Sequence, residues 1–401
     1  MARKVELPSL ANEPWLKDKH LQKVISVLNN EDGEVRVVGG AVRNALLGLP
    51  VADVDIATTH LPDAVMRLCK AAGFGVHPTG IDHGTVTITH GSGVFEVTTL
   101  RRDVATDGRR AMVEYSRDWA EDASRRDFTM NAIYCDESGK CHDYTNGYRD
   151  ILNRKVKFVG AADVRIQEDY LRILRFFRFH AAYGVGTPDA LGLAACVALK
   201  SGLKSLSVER IRQELLKLLA APRAVQTLKL MADIGLLGII IPYTDEWRVL
   251  QRLPADAVLR LFVLARDPGN LQDALRLSNV QAKRLNTMAG LPNISPALRE
   301  REQKAVLYEL GEEAFNDAIH LSLARSKDKR DSPDWRQLLQ LPKRWSVPNF
   351  PVKGDDIKVL GIAAGPQLGK ILRDLEDWWL ASDFKPGREE LLQHLRDQYG
   401  E

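Results

Sequence analysis

Near residue 154 the hydrophobic pattern of this 401-residue chain changes period. Before that point, short β-type runs at 34–38, 54–57, 84–89, 94–100, 111–115 and 128–135 are interleaved with helical stretches at 16–28 and 61–72. A further helix runs from the Gly39-Gly40 pair to Leu47 and is closed by Gly48. After that point, helical periods follow one another at 163–183, 189–201, 208–220 and 223–234, with Ser207 in the place of an N-cap before Val208. Helical patterns continue beyond Pro242, punctuated by prolines such as Pro254, Pro268, Pro292 and Pro342. The pattern predicts an α+β chain: a head with a mixed sheet over 1–155, a helical neck over 156–225, and an all-α body and tail over 226–401.

Several classes of protein are disfavoured. No apolar run reaches the roughly 18 residues that cross a bilayer, so no membrane association is expected. The start of the chain lacks an apolar signal core, which predicts a cytoplasmic protein. Cys69, Cys135, Cys141 and Cys196 form no C-x-x-C pair, so neither a zinc site nor a disulfide framework is expected. The formal net charge of +3 does not announce a nucleic-acid binder, but binding needs a local basic face rather than a basic average. The basic run 325–330 reads as solvated surface or as an edge that touches phosphates. Nothing in the sequence calls for an obligate protein partner.

Asp53 and Asp55 form a D-x-D pair at the start of a β-type run. In a strand, residues i and i+2 share a face, so two carboxylates would lie side by side and repel unless a cation sits between them. Taken alone, the pair reads equally as exposed acids at a strand end. The surroundings favour chemistry. Gly39-Gly40 stands between a strand and a helix, where the backbone can approach a phosphate and free N–H groups face it. Arg43 lies in the first turn of that helix, placed for a charge-assisted bond to the same phosphate. Glu96, in the run 94–100, is either a third carboxylate on a neighbouring strand or a solvated acid. A phosphate cradle beside two aspartates is the minimum for metal-assisted nucleotidyl transfer, with Mg²⁺ the oxygen-loving candidate.

The run GGAVRNALLG followed by DVD resembles the first motif of the class II tRNA nucleotidyltransferase and bacterial poly(A) polymerase family, within the polymerase β superfamily. Three more segments resemble that family in order: RRDFTMNA from Arg125, EDYLR from Glu168, and the helix start 207–214. The resemblance implies a polymerase-β-like nucleotidyltransferase head. It implies that Asp53 and Asp55 hold Mg²⁺ and that Gly40 and Arg43, with Gly39, contact nucleotide phosphates. Arg125 and Arg126 would bind near the triphosphate, and Asp127 the ribose. Asp169 and Arg172 would read the base edge, and Arg175 and Arg178 would lie near the nucleotide or the RNA end. The implied activity is addition of CCA to the tRNA 3′ end from CTP and ATP. Poly(A) synthesis, partial CC or A addition, and a non-catalytic RNA-binding role are the alternatives. In the segment 143–150 the family's usual Pro and one Gly are missing, while Asp143, Gly147 and Asp150 remain.

Asp169, Arg172, Arg175 and Arg178 recur every three residues, which predicts one face of a single helix whose apolar stripe is Tyr170, Ile173, Leu174 and Phe177. Without the resemblance, Asp169 and Arg172 read as a surface ion pair. The charged segment 101–110 takes the place of the family's flexible loop, or is otherwise an ordinary hairpin connection. His83 is expected to be structural or to orient a carboxylate. His142-Asp143 suggests a phosphohydrolase motif whose other ligands the sequence does not supply, and Trp378-Trp379 reads as helix packing or an RNA-stacking surface.

Overall fold

The computed structural model describes residues 6–30, 32–107, 110–358 and 365–399. The chain divides into two compact units, Met1–Pro242 and Tyr243–Glu401. The first unit begins with α1 (Lys19–Leu28), whose N-cap Asp18 accepts from the N–H groups of His20 and Leu21. It continues with β1 (Val35–Val38), α2 (Gly40–Leu46), β2 (Asp55–Thr58), α3 (Pro62–Ala71) and β3 (Gly75–Gly80). Then come β4 (Thr85–His90), β5 (Gly93–Thr99), β6 (Arg101–Asp107), β7 (Arg110–Tyr115), α4 (Trp119–Ser124), β8 (Ile133–Cys135), β9 (Cys141–Asp143) and α5 (Gly147–Leu152). The helical remainder holds α6 (Ala162–Glu168), α7 (Leu171–Tyr183), α8 (Ala190–Leu199), α9 (Val208–Leu219) and α10 (Ala224–Asp233).

Seven strands form one mixed sheet in the order β3-β4-β5-β2-β1-β8-β9. Only β2 and β5 run parallel, and their register sets Asp55 against Glu96. In β5 the alternation is plain: Phe95 and Val97 are buried while Val94 and Glu96 face solvent. In β2, Ile56, Ala57 and Thr58 are buried behind an exposed Asp55. The apolar residues thus fix the strands and leave both acids on the open side.

The segment 101–110 holds the hairpin that was one of its two readings: residues 101–107 and 110–115 pair as a two-stranded hairpin outside the main sheet, and 108 and 109 lie outside the described residues. Two expectations need correction. The run 128–135 is a strand only at Ile133–Cys135, because Thr129–Asn131 is a 3-10 turn. There Asp127 accepts from the Phe128 N–H and the Asn131 amide, and Thr129 donates to Asp150, so side chains compete with the ladder. The helix expected over 163–183 breaks at Asp169, whose backbone is extended (φ −157°, ψ 106°), into α6 and α7.

The altered segment 143–150 keeps a tight geometry. Asp143 accepts from the N–H groups of Thr145, Gly147 and Tyr148, and Asp150 receives Thr129 and Lys157. A Cβ on Gly147 would lie 2.0 Å from the Thr129 carbonyl oxygen. The three family residues that remain are therefore the ones this turn requires. The helical remainder is tied to the head by an aromatic cluster. Phe128 contacts Phe158 and Phe179 at 5.0 Å between centroids, and Phe158 stacks on Phe176 at 5.4 Å. That cluster sets α7 beside the Arg125–Asp127 turn.

The regular elements among the described residues of the second unit are helices, including Glu300–Arg325, kinked at Gly311 where φ is +74°, and Pro366–Ala381. Arg284 bridges Asp256 (3.0 Å) and Asp317 (2.7 Å). Trp379 is buried and Trp378 stacks on His394, so the tryptophan pair serves helix packing. The basic run 325–330 is largely exposed, and Asp328 within it accepts from the Trp335 indole.

Candidate active site

A polar cleft of about 450 Å³ opens in the first unit. It is lined by all ten residues expected to contact the nucleotide: Gly39 and Gly40, Arg43, the Arg125–Asp127 turn, and Asp169, Arg172, Arg175 and Arg178. Asp55 lines it as well. Asp53 and Glu96 do not line the cleft, yet both carboxylates act electrostatically on Asp55. Six arginines against three acids make the lining net positive, as a polyphosphate requires.

Each arginine is held by a specific partner. Asp122, fully buried on α4, accepts from Arg125 through Nε (2.8 Å) and Nη2 (2.5 Å). Its second oxygen receives Arg126 Nη2 (2.9 Å) and the Tyr134 hydroxyl (2.7 Å). The Nη1 groups of both arginines take no part in that grip. Burial by itself would raise the Asp122 carboxyl, but Arg126, Arg125 and Tyr134 hold it down to about 2. An unfolded aspartate titrates near pH 4, so the stabilisation from Asp122 is complete above about pH 4 and is lost as pH falls toward 2. Asp122→Asn should remove that part of the acid loss in thermal melts taken down the pH scale. At neutral pH it should lower stability by about 3 kcal/mol, since two arginines lose their counter-charge.

Arg43 is buried, and burial lowers its pKa. It donates to Asn131 Oδ1 (2.6 Å), the Tyr183 hydroxyl (2.7 Å) and Asn44 Oδ1 (2.9 Å), and stacks over the Tyr183 ring. It is a fixed charge in the wall rather than a mobile clamp. Asp127 accepts from Arg175 Nε (2.8 Å) and Nη2, from the Phe128 N–H (2.9 Å) and from Asn131 (3.2 Å). Burial opposes its ionisation, but Arg175 and these donors hold the carboxyl below the usual range. Four donors fill its acceptor sites, so a ribose hydroxyl reaches it by displacing one of them.

The Asp169–Arg172 ion pair, the reading taken without the family resemblance, does not form. Arg172 donates through Nη1 to Glu168 and to the Arg165 carbonyl (2.6 Å), whereas Asp169 pairs with Arg210 Nη2 at 2.6 Å. The break at Asp169 puts the two residues on different elements, which explains the difference from a continuous helix. Arg178 pairs with buried Glu214 at 2.6 Å, and Arg175 Nη1 lies 3.6 Å from the same carboxylate. Asp122, Asn131, Tyr183 and Arg210 had no role assigned from sequence. Asp122 was discoverable: it precedes Arg125 and Arg126 by three and four residues, helix-neighbour spacing.

Desolvation by the surrounding protein, Glu96 and Asp53 push the Asp55 carboxyl above the usual range, and Arg126 opposes them. No group of three or more His, Cys, Asp or Glu among the described residues forms a ready-made metal cage. Asp55, Asp53 and Glu96 are crowded enough to act on one another electrostatically, and such oxygen donors are the type a hard divalent cation takes. His142 pairs with Asp136 (2.9 Å) while Asp143 caps its turn, so no phosphohydrolase site assembles there. His83 ends a 3-10 turn at the surface, with its carbonyl oxygen accepting from Arg101.

A mixed-sheet head whose basic cleft adjoins paired carboxylates is the architecture of a nucleotidyltransferase. Residues 35–157 match the family described as Poly A polymerase head domain, and 192–248 match the probable RNA and SrmB-binding site of polymerase A. The chain is 36% identical over 392 residues to the mitochondrial CCA tRNA nucleotidyltransferase 1 of Danio rerio, covering 90% of this chain and 87% of that protein. It is 30% identical to the CCA-adding enzyme of Listeria monocytogenes, covering 93% and 96% of the two chains. The crystal structure of the Bacillus stearothermophilus CCA-adding enzyme in complex with CTP superposes with a TM-score of 0.79 at 28% identity, over 94% of this chain and 96% of that one. The chain belongs to the family of CCA-adding tRNA nucleotidyltransferases.

Proposed function

We propose that the chain adds CCA to the 3′ end of tRNA without a template, taking CTP and ATP and releasing pyrophosphate. The observation that carries this reading is a cleft in which a glycine pair, six arginines, Asp127 and Asp169 lie beside Asp55. Arg125 and Arg126, braced on Asp122, bind the triphosphate, and Gly39 and Gly40 bring backbone close to it. Arg43, Arg175 and Arg178 keep the cleft positive for the nucleotide and the RNA end, and Asp127 faces the ribose. Asp53 and Asp55 hold Mg²⁺, with Glu96 adding negative charge beside them. When bound, the ion lowers the pKa of the tRNA 3′ hydroxyl and neutralises charge on the leaving phosphate. The protein's own contribution is to fix the α-phosphate in line with that hydroxyl.

We assign the head to 1–155, base recognition to the neck over 156–225, and the tRNA acceptor arm to the helical segment 226–401, held by shape and phosphates. Among the described residues no helix is long and apolar enough to cross a membrane. All four cysteines are free, which suits the reducing cytoplasm we propose as the compartment.

The deciding experiment supplies purified protein with tRNA lacking CCA and each nucleotide singly or together. CTP alone should give two additions, and CTP with ATP one further A. Long A tails on unrelated RNA would select poly(A) synthesis instead, and no incorporation with fresh Mg²⁺ would leave an RNA-binding role.

A further inference from the structure

We propose that Cys135 and Cys141 form a reversible modification site, which a hydroperoxide closes into a disulfide across β8 and β9 and which thiols reopen. The two residues stand directly opposite each other in the antiparallel register. The neighbouring pair, Asp136 and Lys140, carries the ladder bond, from the Asp136 N–H to the Lys140 carbonyl at 3.1 Å. Bonded and unbonded pairs alternate, so Cys135 and Cys141 are an unbonded pair with both side chains on one face. Such pairs hold their Cα atoms about 4.5 Å apart, inside the range of roughly 4.4–6.8 Å that a disulfide spans. The thiols already lie within hydrogen-bonding reach of each other. Cys135 Sγ has a second acceptor in the Asp136 carbonyl oxygen at 3.5 Å.

Access comes from one side. Cys135 is fully buried, whereas Cys141 lines an open cavity of about 620 Å³ together with Leu7, Ser9, Ser138 and Lys140. A bond donated by Cys135 holds the Cys141 thiol below its usual range, while burial, Asp136 and Asp143 oppose that effect. Cys141 is therefore the attacking sulfur. Its thiolate takes the outer oxygen of the hydroperoxide, the O–O bond breaks, and the departing alkoxide or hydroxide picks up a proton. The Cys135 sulfur then attacks Cys141; the S–S bond forms, the S–O bond breaks, and hydroxide leaves as water with the Cys135 proton. Two thiols lose two electrons and the peroxide gains them. A reducing thiol returns both electrons by exchange. Cys69 and Cys196 lie on separate helices, α3 and α8, and burial pushes the Cys69 thiol up to about 11 and the Cys196 thiol further.

The test takes the reduced full-length chain, removes the reductant, adds hydrogen peroxide, and alkylates the remaining thiols after denaturation. Peptide mass mapping should show Cys135 and Cys141 protected from alkylation and joined within one chain, with Cys69 and Cys196 still alkylated. Dithiothreitol should return all four thiols. The oxidised protein should melt no lower than the reduced one, because the strands need not move to close the bond. Cys135→Ser should leave Cys141 as a sulfenic acid that dimedone captures, and Cys135→Ala replaces it if Cys135→Ser does not fold. Cys141→Ser should leave Cys135 a free thiol at the same peroxide dose. Four alkylated thiols after peroxide, a disulfide between chains, or earlier loss of Cys69 or Cys196 would overturn the proposal.

Discussion

Asp55→Asn should abolish nucleotide incorporation, by about a thousandfold or more, without lowering thermal stability. The two halves of this expectation come from the same electrostatics. The Asp55 carboxyl sits above the usual range because the surrounding protein desolvates it and Glu96 and Asp53 repel it. Its ionised form therefore costs the folded state free energy at neutral pH, and a neutral amide of the same shape removes that cost. On the proposed reading, the charge is kept because a divalent ion beside the triphosphate needs it. Asp53→Ala should lose incorporation to a similar degree and leave tRNA affinity within about twofold, since phosphate contacts elsewhere carry RNA binding. Gel-shift titration and a nucleotide-addition assay on the same preparations check both. Parallel loss of tRNA binding would remove the metal-holding role from Asp53.

Arg172→Lys should behave as a severe substitution, cutting CMP incorporation and relaxing discrimination against UTP by about 10- to 100-fold. Arg172 anchors one end of its guanidinium on Glu168 and on the Arg165 carbonyl, which fixes the plane of the rest of the fork in the cleft wall, where the proposed reading puts the base. An ammonium can pair with Glu168 but cannot at the same time present a second fixed donor. Asp169→Ala should relax the same discrimination from the acceptor side, because the repulsion that excludes a carbonyl is gone. Steady-state kinetics with CTP, ATP and UTP check both variants, and unchanged selectivity in either would remove the base-reading role from that residue.

The parts of the fold written in local periodicity were legible in the sequence. The break between head and helices, the strand before Gly39 and the helices α8, α9 and α10 lie within a few residues of expectation. So did the company of the cleft, because ordered motifs constrain which segments must meet. What escaped was pairing between side chains. A spacing of three placed Asp169 beside Arg172, but an extended backbone at Asp169 and partners on other elements, Glu168 and Arg210, sent the two apart. Asp122 escaped because a helix of six residues, Trp119–Ser124, is too short to announce itself by period. Of these pairs Asp169–Arg210 is the long-range one, and a pair of that kind leaves no signal in one sequence.

Metal-assisted transfer in this cleft turns on where Asp53 and Asp55 point once a nucleotide is bound. Crystals grown with CTP and Mn²⁺ in place of Mg²⁺ offer that answer through anomalous scattering, independently of turnover. A manganese peak within coordination distance of Asp53 and Asp55 and of the nucleotide phosphates is the predicted result. A bound triphosphate whose metal is held without either carboxylate would contradict the account.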